Sequence, residues 1–229
     1  MKNIKGWYLP NWDKHFENHL QDINGKYEYQ HPQRQYALSY VKDFTKNAID
    51  VGSNIGFWSK EMCEKFNHVY AFEPHPDNIE CYKENLKEFK NYTLYEKAVS
   101  NISNKQLTLY FSPDECGNAS LNNFGVQEGS TTRKLDFEKL KTITVEVKTI
   151  DEYNFKNINF IKVDCQNHEK EVVEGAIETI QRCKPVLCLE LPVRNEKEKN
   201  YRNNLIEYLK KYNYVFKGNL KKETIFCYE

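Results

Sequence analysis

The sequence predicts an α/β fold built on a doubly wound, mostly parallel sheet, and three observations carry that expectation. Short apolar runs rich in β-branched and aromatic residues recur from Asn47 to the end of the chain. Amphipathic stretches of about ten to fifteen residues separate most of them. At 229 residues the chain has the length of one such domain. Strands alternating with helices imply right-handed crossovers, hence parallel neighbours with helices on both faces. The last two strands have no helix between them, which predicts an antiparallel strand at the edge. Sheets of this kind bind ligands beyond the carboxyl ends of their central strands.

Residues 1–45 are aromatic and polar, with Trp7, Trp12, Phe16, Tyr29 and Tyr36 among them. They read as an irregular extension or substrate cap that ends in a helix over 33–44. The core, 46–229, starts with the buried strand "NAIDV" (47–51) and the helix "FWSKEMCEKF" (57–66). The strand "HVYAFE" (68–73) follows, and then a helix over 75–89 whose Pro76 and Asp77 suit a helix start. A third strand is expected over 92–99. "QLTLYFS" (106–112) and "ITVEVK" (143–148) alternate apolar and polar residues and are expected to pair antiparallel. The polar stretch 113–142 between them reads as an inserted loop or lid. "INFIKVD" (158–164) is the next buried strand, then a helix over 168–183 and the strand "PVLCLEL" (185–191). A helix over 198–212 and two final strands close the single domain.

Lys+Arg and Asp+Glu balance at 33 each, so the chain lacks the net basic field of most nucleic-acid binders. Its seven cysteines are scattered without a CxxC pair, which predicts reduced thiols and not a disulfide or zinc framework. The first residues lack a signal-peptide core, and no apolar run approaches membrane-spanning length. Together these features predict a cytoplasmic chain with no membrane partner.

The glycine loop "DVGSNIG" carries the chemistry. A phosphate-binding P-loop needs wider glycine spacing and a Lys-Ser/Thr pair, which does not follow Gly56. The dinucleotide pattern is also absent, since Gly52 and Gly56 stand four apart with Asn54 between them. A tight turn without a ligand remains one reading. The other is S-adenosylmethionine, which has no pyrophosphate to cradle. Asp50, at the strand end, would face the charged methionine part of that cofactor. Glu73, 17 residues after Gly56, would accept both ribose hydroxyls, a role an acid at this strand end also plays for dinucleotides. Ser53 belongs to the same loop. Asn54 either turns its amide to the methionine carboxylate or occupies a left-handed backbone position.

The runs "IDVGSNIG", "AFEP", "KAVSN", "TIDEYNFKNINFIKVD", "HEKEVVEGA" and "KPVLCLEL" resemble the FkbM-type methyltransferases from about Ala48 to Leu191. The resemblance implies a Rossmann-like class I methyltransferase fold, S-adenosylmethionine as cofactor, and O-methylation of a sugar or other small molecule. It adds Pro74 and Ala98 to the expected cofactor site and places Gly117, Asn118 and Ser120 at the active-site mouth. Where the family usually has Asp-x-Glu-Gly-x-Glu, this chain has Asp164-Cys165-Gln166-Asn167-His168-Glu169, so the carboxylate at position 166 is missing.

Asp164, His168 and Glu190 are the candidate catalytic residues. Asp164 ends the strand beside the switch point, and Asp164 or His168 would take the acceptor's proton. Asp164 and Glu190, with His168 or Glu169, would also suit a divalent metal such as Mg²⁺, a reading that the sequence does not favour. The expected partner is a small-molecule or carbohydrate acceptor. Two rivals are a nucleic-acid methyltransferase, for which the Asn/Asp-Pro-Pro-aromatic stretch is absent, and a non-catalytic cofactor-binding protein.

Overall fold

The computed structural model describes residues 1–122 and 140–229. Its N-terminal segment forms two small hairpins and two short helices. They are β1 (Lys2–Ile4) with β2 (Trp7–Leu9), α1 (His15–His19), β3 (Gln21–Ile23) with β4 (Lys26–Glu28), and α2 (His31–Leu38). The expected irregular start is therefore structured, and the expected helix over 33–44 begins and ends earlier. The hairpins turn at Lys5-Gly6 and Asn24-Gly25, both pairs at positive φ, and Asn-Gly between strands is the strongest local hairpin signal a sequence offers.

The core continues with β5 (Asn47–Val51), α3 (Phe57–Lys65), β6 (His68–Phe72), α4 (Pro76–Asn85) and β7 (Tyr92–Tyr95). Next come β8 (Ala98–Val99), β9 (Lys105–Ser112), β10 (Glu115–Ser120) and β11 (Lys141–Lys148). The chain ends with β12 (Ile158–Val163), α5 (Glu169–Glu174), α6 (Ile177–Cys183), β13 (Val186–Glu190), α7 (Glu196–Lys210), β14 (Tyr214–Leu220) and β15 (Glu223–Tyr228). Seven strands form the main sheet in the order β14-β15-β13-β12-β5-β6-β7. All are parallel except β15, which runs antiparallel between β13 and β14. The one reversed strand thus lies a place in from the edge, because the hairpin that makes it folds back against β13. Strand order reverses between β5 and β12, and their carboxyl ends open the crevice that such a reversal creates.

Alternate residues of the buried strands feed two cores. Ile49, Val51, Ile161 and Val163 pack with Val172, Ile180, Leu205 and Leu209 on one face. Ala48, Ala71, Phe160 and Cys188 pack with Leu38, Trp58, Met62 and Tyr82 on the other. The expected strand 92–99 is divided, since the chain turns at Glu96-Lys97 and β8 leaves for a second sheet of order β10-β9-β11-β8. There β9 and β11 pair antiparallel, as their alternation predicted. Residues 115–120 of the expected insertion form β10, and residues 123–139 lie outside the described ones.

The helix expected over 168–183 breaks at Gly175. A Cβ there would stand 2.1 Å from the carbonyl oxygen of Ser100, so only glycine lets this break rest on the loop that leaves β8. Gly175→Ala is expected to destabilise the protein by about 1–3 kcal/mol. A urea denaturation midpoint equal to wild type would contradict this contact.

Candidate active site

A cavity of about 370 Å³ lies over the carboxyl ends of β5 and β12. Asp50, Gly52, Ser53, Asn54, Glu73, Pro74 and Ala98 line one end of it, and Asp164, His168 and Glu190 also reach its wall. Gly56, expected in the cofactor site, does not line the cavity. It sits behind the loop at the start of α3, against Leu86 and Tyr82, where it serves the turn and the packing.

The loop is shaped by its own backbone. Gly52 has φ +74°, and a Cβ there would lie 2.0 Å from the Asp164 carbonyl oxygen, so the ends of β5 and β12 approach as closely as glycine allows. The N–H groups of Gly52 and Ser53 both donate to the Phe72 carbonyl. Asn54 takes the left-handed position (φ 53°), and its amide donates to the Cys116 carbonyl at 2.6 Å. Of its two expected roles, the backbone one is observed. Its N–H donates to Glu73 Oε2 at 2.9 Å, while Glu73 Oε1 accepts from the His75 N–H and the Asn78 amide. Burial pushes the Glu73 carboxyl up to about 7 despite these donors. Asp50 accepts from the Ser59 hydroxyl at 2.6 Å and is pushed up to about 6, again by burial.

Asp164 and Glu190 meet at the other end. One amide nitrogen, Gln166 Nε2, donates to Asp164 Oδ1 and to Glu190 Oε2, each at 2.8 Å. Lys162 Nζ lies 3.4 Å from Asp164 Oδ2, and Lys222 Nζ lies 3.2 Å from Glu190 Oε1. Burial opposes charge on both acids. At Asp164 the Lys162 ammonium overrides burial and holds the carboxyl below its usual range. Burial and the charge of Asp164 push Glu190 well above its own.

His168 stands apart from this pair. Its Nε2 is 3.0 Å from the Ser100 hydroxyl and its Nδ1 3.7 Å from Glu171, and burial lowers its pKa. Glu169 turns away as well, accepting from the Cys165 N–H. Among the described residues no group of three or more His, Cys, Asp or Glu side chains is arranged to hold a metal ion. At the Asp164–Glu190 pair, the amide of Gln166 occupies the position between the carboxylates.

Residues 50–216 match the family described as the methyltransferase FkbM domain. The chain belongs to this family. It is 27% identical over 144 residues to "Methyltransferase 1" of Beauveria bassiana, covering 56% of this chain and 57% of that protein. It is 28% identical over 132 residues to the hexuronic acid methyltransferase AglP of Haloferax volcanii, covering 58% and 50%. The fold is similar to that of the FkbM methyltransferase from Methylobacillus flagellatus KT, with a TM-score of 0.54 and 15% identity over 84% of this chain and 48% of the other. The FkbM chain therefore spans about half the length of the relatives it matches. No helix among its described residues is long and apolar enough to cross a membrane.

The FkbM family uses S-adenosylmethionine, and the glycine-loop end of the cavity fits that group. Two buried polar atoms of residues lining it, Ser53 Oγ and Asn78 Oδ1, have no hydrogen-bond partner among the described residues. Among the described residues Glu73 Oε2 accepts one donor, the Asn54 N–H, and a carboxylate oxygen has room for a second.

Several residues of the FkbM cavity had not been singled out in the sequence. Lys162 is one, and a lysine inside the apolar run "NFIKVD" was a legible signal. Tyr29, Phe16 and His15 are others, brought to the cavity wall by the N-terminal segment. They carry no local pattern that points there.

Lys162 is 1% exposed and counters Asp164 and Asp50. Lys162→Met is expected to lower stability by about 3–5 kcal/mol at pH 8, the usual effect of leaving a buried charge unpaired. The deficit should shrink toward pH 5. Without the ammonium the native acids bind protons at a higher pH than the unfolded ones, so stability falls as pH rises. Thermal unfolding of both proteins across that range is the measurement, and a pH-independent deficit would count against the charge network.

Proposed function

We propose that this domain transfers a methyl group from S-adenosylmethionine to a hydroxyl of a carbohydrate or a similar polyhydroxylated small molecule. The observation that carries the reading is one cavity joining the glycine-loop end, around Glu73, to an end where the Gln166 amide bridges Asp164 and Glu190. The hexuronic acid methyltransferase relative supports a carbohydrate acceptor. The balanced charge of the chain supports a small molecule over a nucleic acid.

When bound, the cofactor supplies a methyl already activated on a sulfonium, which leaves alignment and proton handling to the protein. In this reading Glu73 Oε2 accepts a ribose hydroxyl, while Pro74 and Ala98 flank the adenine. Gly52, Ser53 and Asn54 bring backbone and hydroxyl to the methionine end, with Asp50 as the nearby negative charge. Asp164 accepts a hydrogen bond from a hydroxyl next to the reacting one and so points the reacting oxygen at the methyl. Glu190 keeps its proton, so that the pair carries one charge and not two. Residues 1–45 cover the acceptor, whose C–H faces meet Tyr29 and Phe16. The divalent metal has no part in these steps.

The direct test is incubation of the purified protein with methyl-labelled S-adenosylmethionine and a panel of free sugars, uronic acids, glycosides and structured RNA. Label on a sugar oxygen is expected, and label on RNA alone would overturn the reading. Asp164→Asn should lower kcat about 100-fold while S-adenosylhomocysteine binds as before. Burial pushes Glu73 up to about 7, and its ionised form is the stronger acceptor for a ribose hydroxyl. Calorimetry should therefore show S-adenosylhomocysteine affinity weakening as pH falls from 8 to 6. Glu73→Gln should bind about 10- to 100-fold more weakly and lose that dependence. Unchanged affinity in this variant would remove Glu73 from the cofactor site.

A further inference from the structure

We propose that Tyr29 and His15, in the N-terminal segment, form the outlet for the acceptor's proton, an inference that rests on methyl transfer to a hydroxyl. Both residues lie outside the family match at 50–216, so the pair belongs to this chain's own cap and not to the shared core.

The acids at the acceptor end leave the proton without a good destination. Asp164 is held ionised by Lys162 and Gln166, which makes it a hydrogen-bond acceptor but a weak base. Burial and the charge of Asp164 push Glu190 well above its ordinary range, which favours its protonated form. His168 is engaged with Ser100, a side chain 2% exposed.

Tyr29, which carries a hydroxyl, lines the cavity with these acids. Its ionisation is suppressed by burial first, then by Glu190, Asp164, Glu223 and Cys116, so it relays a proton and does not hold a charge. His15 Nε2 lies 3.4 Å from this hydroxyl, and such bonds commonly tighten when substrate binds. The position is built. Arg34, 2% exposed, donates to the Tyr29 carbonyl and pairs with Glu28 and Glu61. The Tyr29 ring packs against Phe16 at 4.7 Å and Phe57 at 5.3 Å between centroids. Next to it, the Gln30 side chain accepts from the Trp58 indole.

His15 is placed to receive the proton and release it. The groups facing it are His19 of its own helix, Asp13, Glu115 of β10, Lys222 of the β14–β15 turn, and Tyr29. Burial and His19 outweigh the acids and lower its pKa, so its ring is neutral at pH 7. The exposed ring of His19 stacks on it at 4.2 Å, toward the cavity mouth. In the step, the acceptor oxygen forms a bond to the methyl carbon, and the carbon–sulfur bond breaks with its electron pair left on sulfur. The acceptor's proton passes to the Tyr29 oxygen as the Tyr29 proton passes to His15 Nε2. The imidazolium then returns its proton to water.

Ring-nitrogen NMR of the protein with S-adenosylhomocysteine tests the pair without an acceptor. At pH 7 His15 should be neutral with its proton on Nδ1, and Tyr29→Phe should shift it toward the Nε2–H form. A protonated His15, or an Nε2–H tautomer in the wild type, overturns the proposal. With a sugar that accepts label, Tyr29→Phe and His15→Gln should each lower kcat about 100-fold with S-adenosylhomocysteine affinity unchanged. The wild-type kcat should fall as pH drops through the His15 pKa, and that limb should vanish in His15→Gln. Full turnover in both variants also overturns it. Absence of transfer from the wild type to any hydroxyl would sink the proposed reaction instead, and the NMR result still decides the pair.

Discussion

The buried ammonium of Lys162 is the constraint around which the site is arranged. It lies on the central strand β12, paired in register with Asp50 on β5 and Cys188 on β13. Burial alone would push its proton off. The Asp164 carboxylate, first among its acidic neighbours, reverses that push and keeps it charged. Its Nζ also sits 4.9 Å above the Trp58 ring. A charge in this position is tolerable only when paired, and the pairing fixes the ionisation of its neighbours. The Lys162 ammonium holds Asp164 below its ordinary range, and burial with the charge of Asp164 pushes Glu190 above its own. Gln166 makes the arrangement geometric, since its single amide nitrogen ties the two carboxyl groups together.

The glycine loop depends on the same strand. Gly52 presses against the Asp164 carbonyl with no room for a side chain, so the glycine loop and the acid pair share one piece of backbone contact. Glu73 is tied to the loop through the Asn54 N–H, and Asn54 is tied through its side chain to Cys116 on β10. The second sheet thereby becomes part of the wall, and Ser120 extends the contact by donating to the Cys165 and Gln166 carbonyls. The N-terminal segment closes the remaining side through Arg34, whose ion pairs reach Glu28 on β4 and Glu61 on α3.

The sequence by itself determined the alternation of strands and helices, the glycine loop and the acid at the end of β6. Each of these is local: a period of two or of 3.6, a glycine where φ must be positive, a carboxylate at a fixed remove from a turn. The family resemblance was legible for the same reason. Tertiary structure alone decided which of the candidate acids carries charge, because that depends on Lys162 lying beside Asp164 and on burial no window of sequence reports. It also decided that Gly56 faces Tyr82 and Leu86 and not the cavity, that His168 turns to Ser100, and that Gly175 splits a helix against another loop. Tyr29 and His15 reach the acceptor end only because two hairpins and the Arg34 clamp fold residues distant in sequence across it. Contacts between such remote segments arise from packing and charge pairing in three dimensions, and no local pattern encodes them.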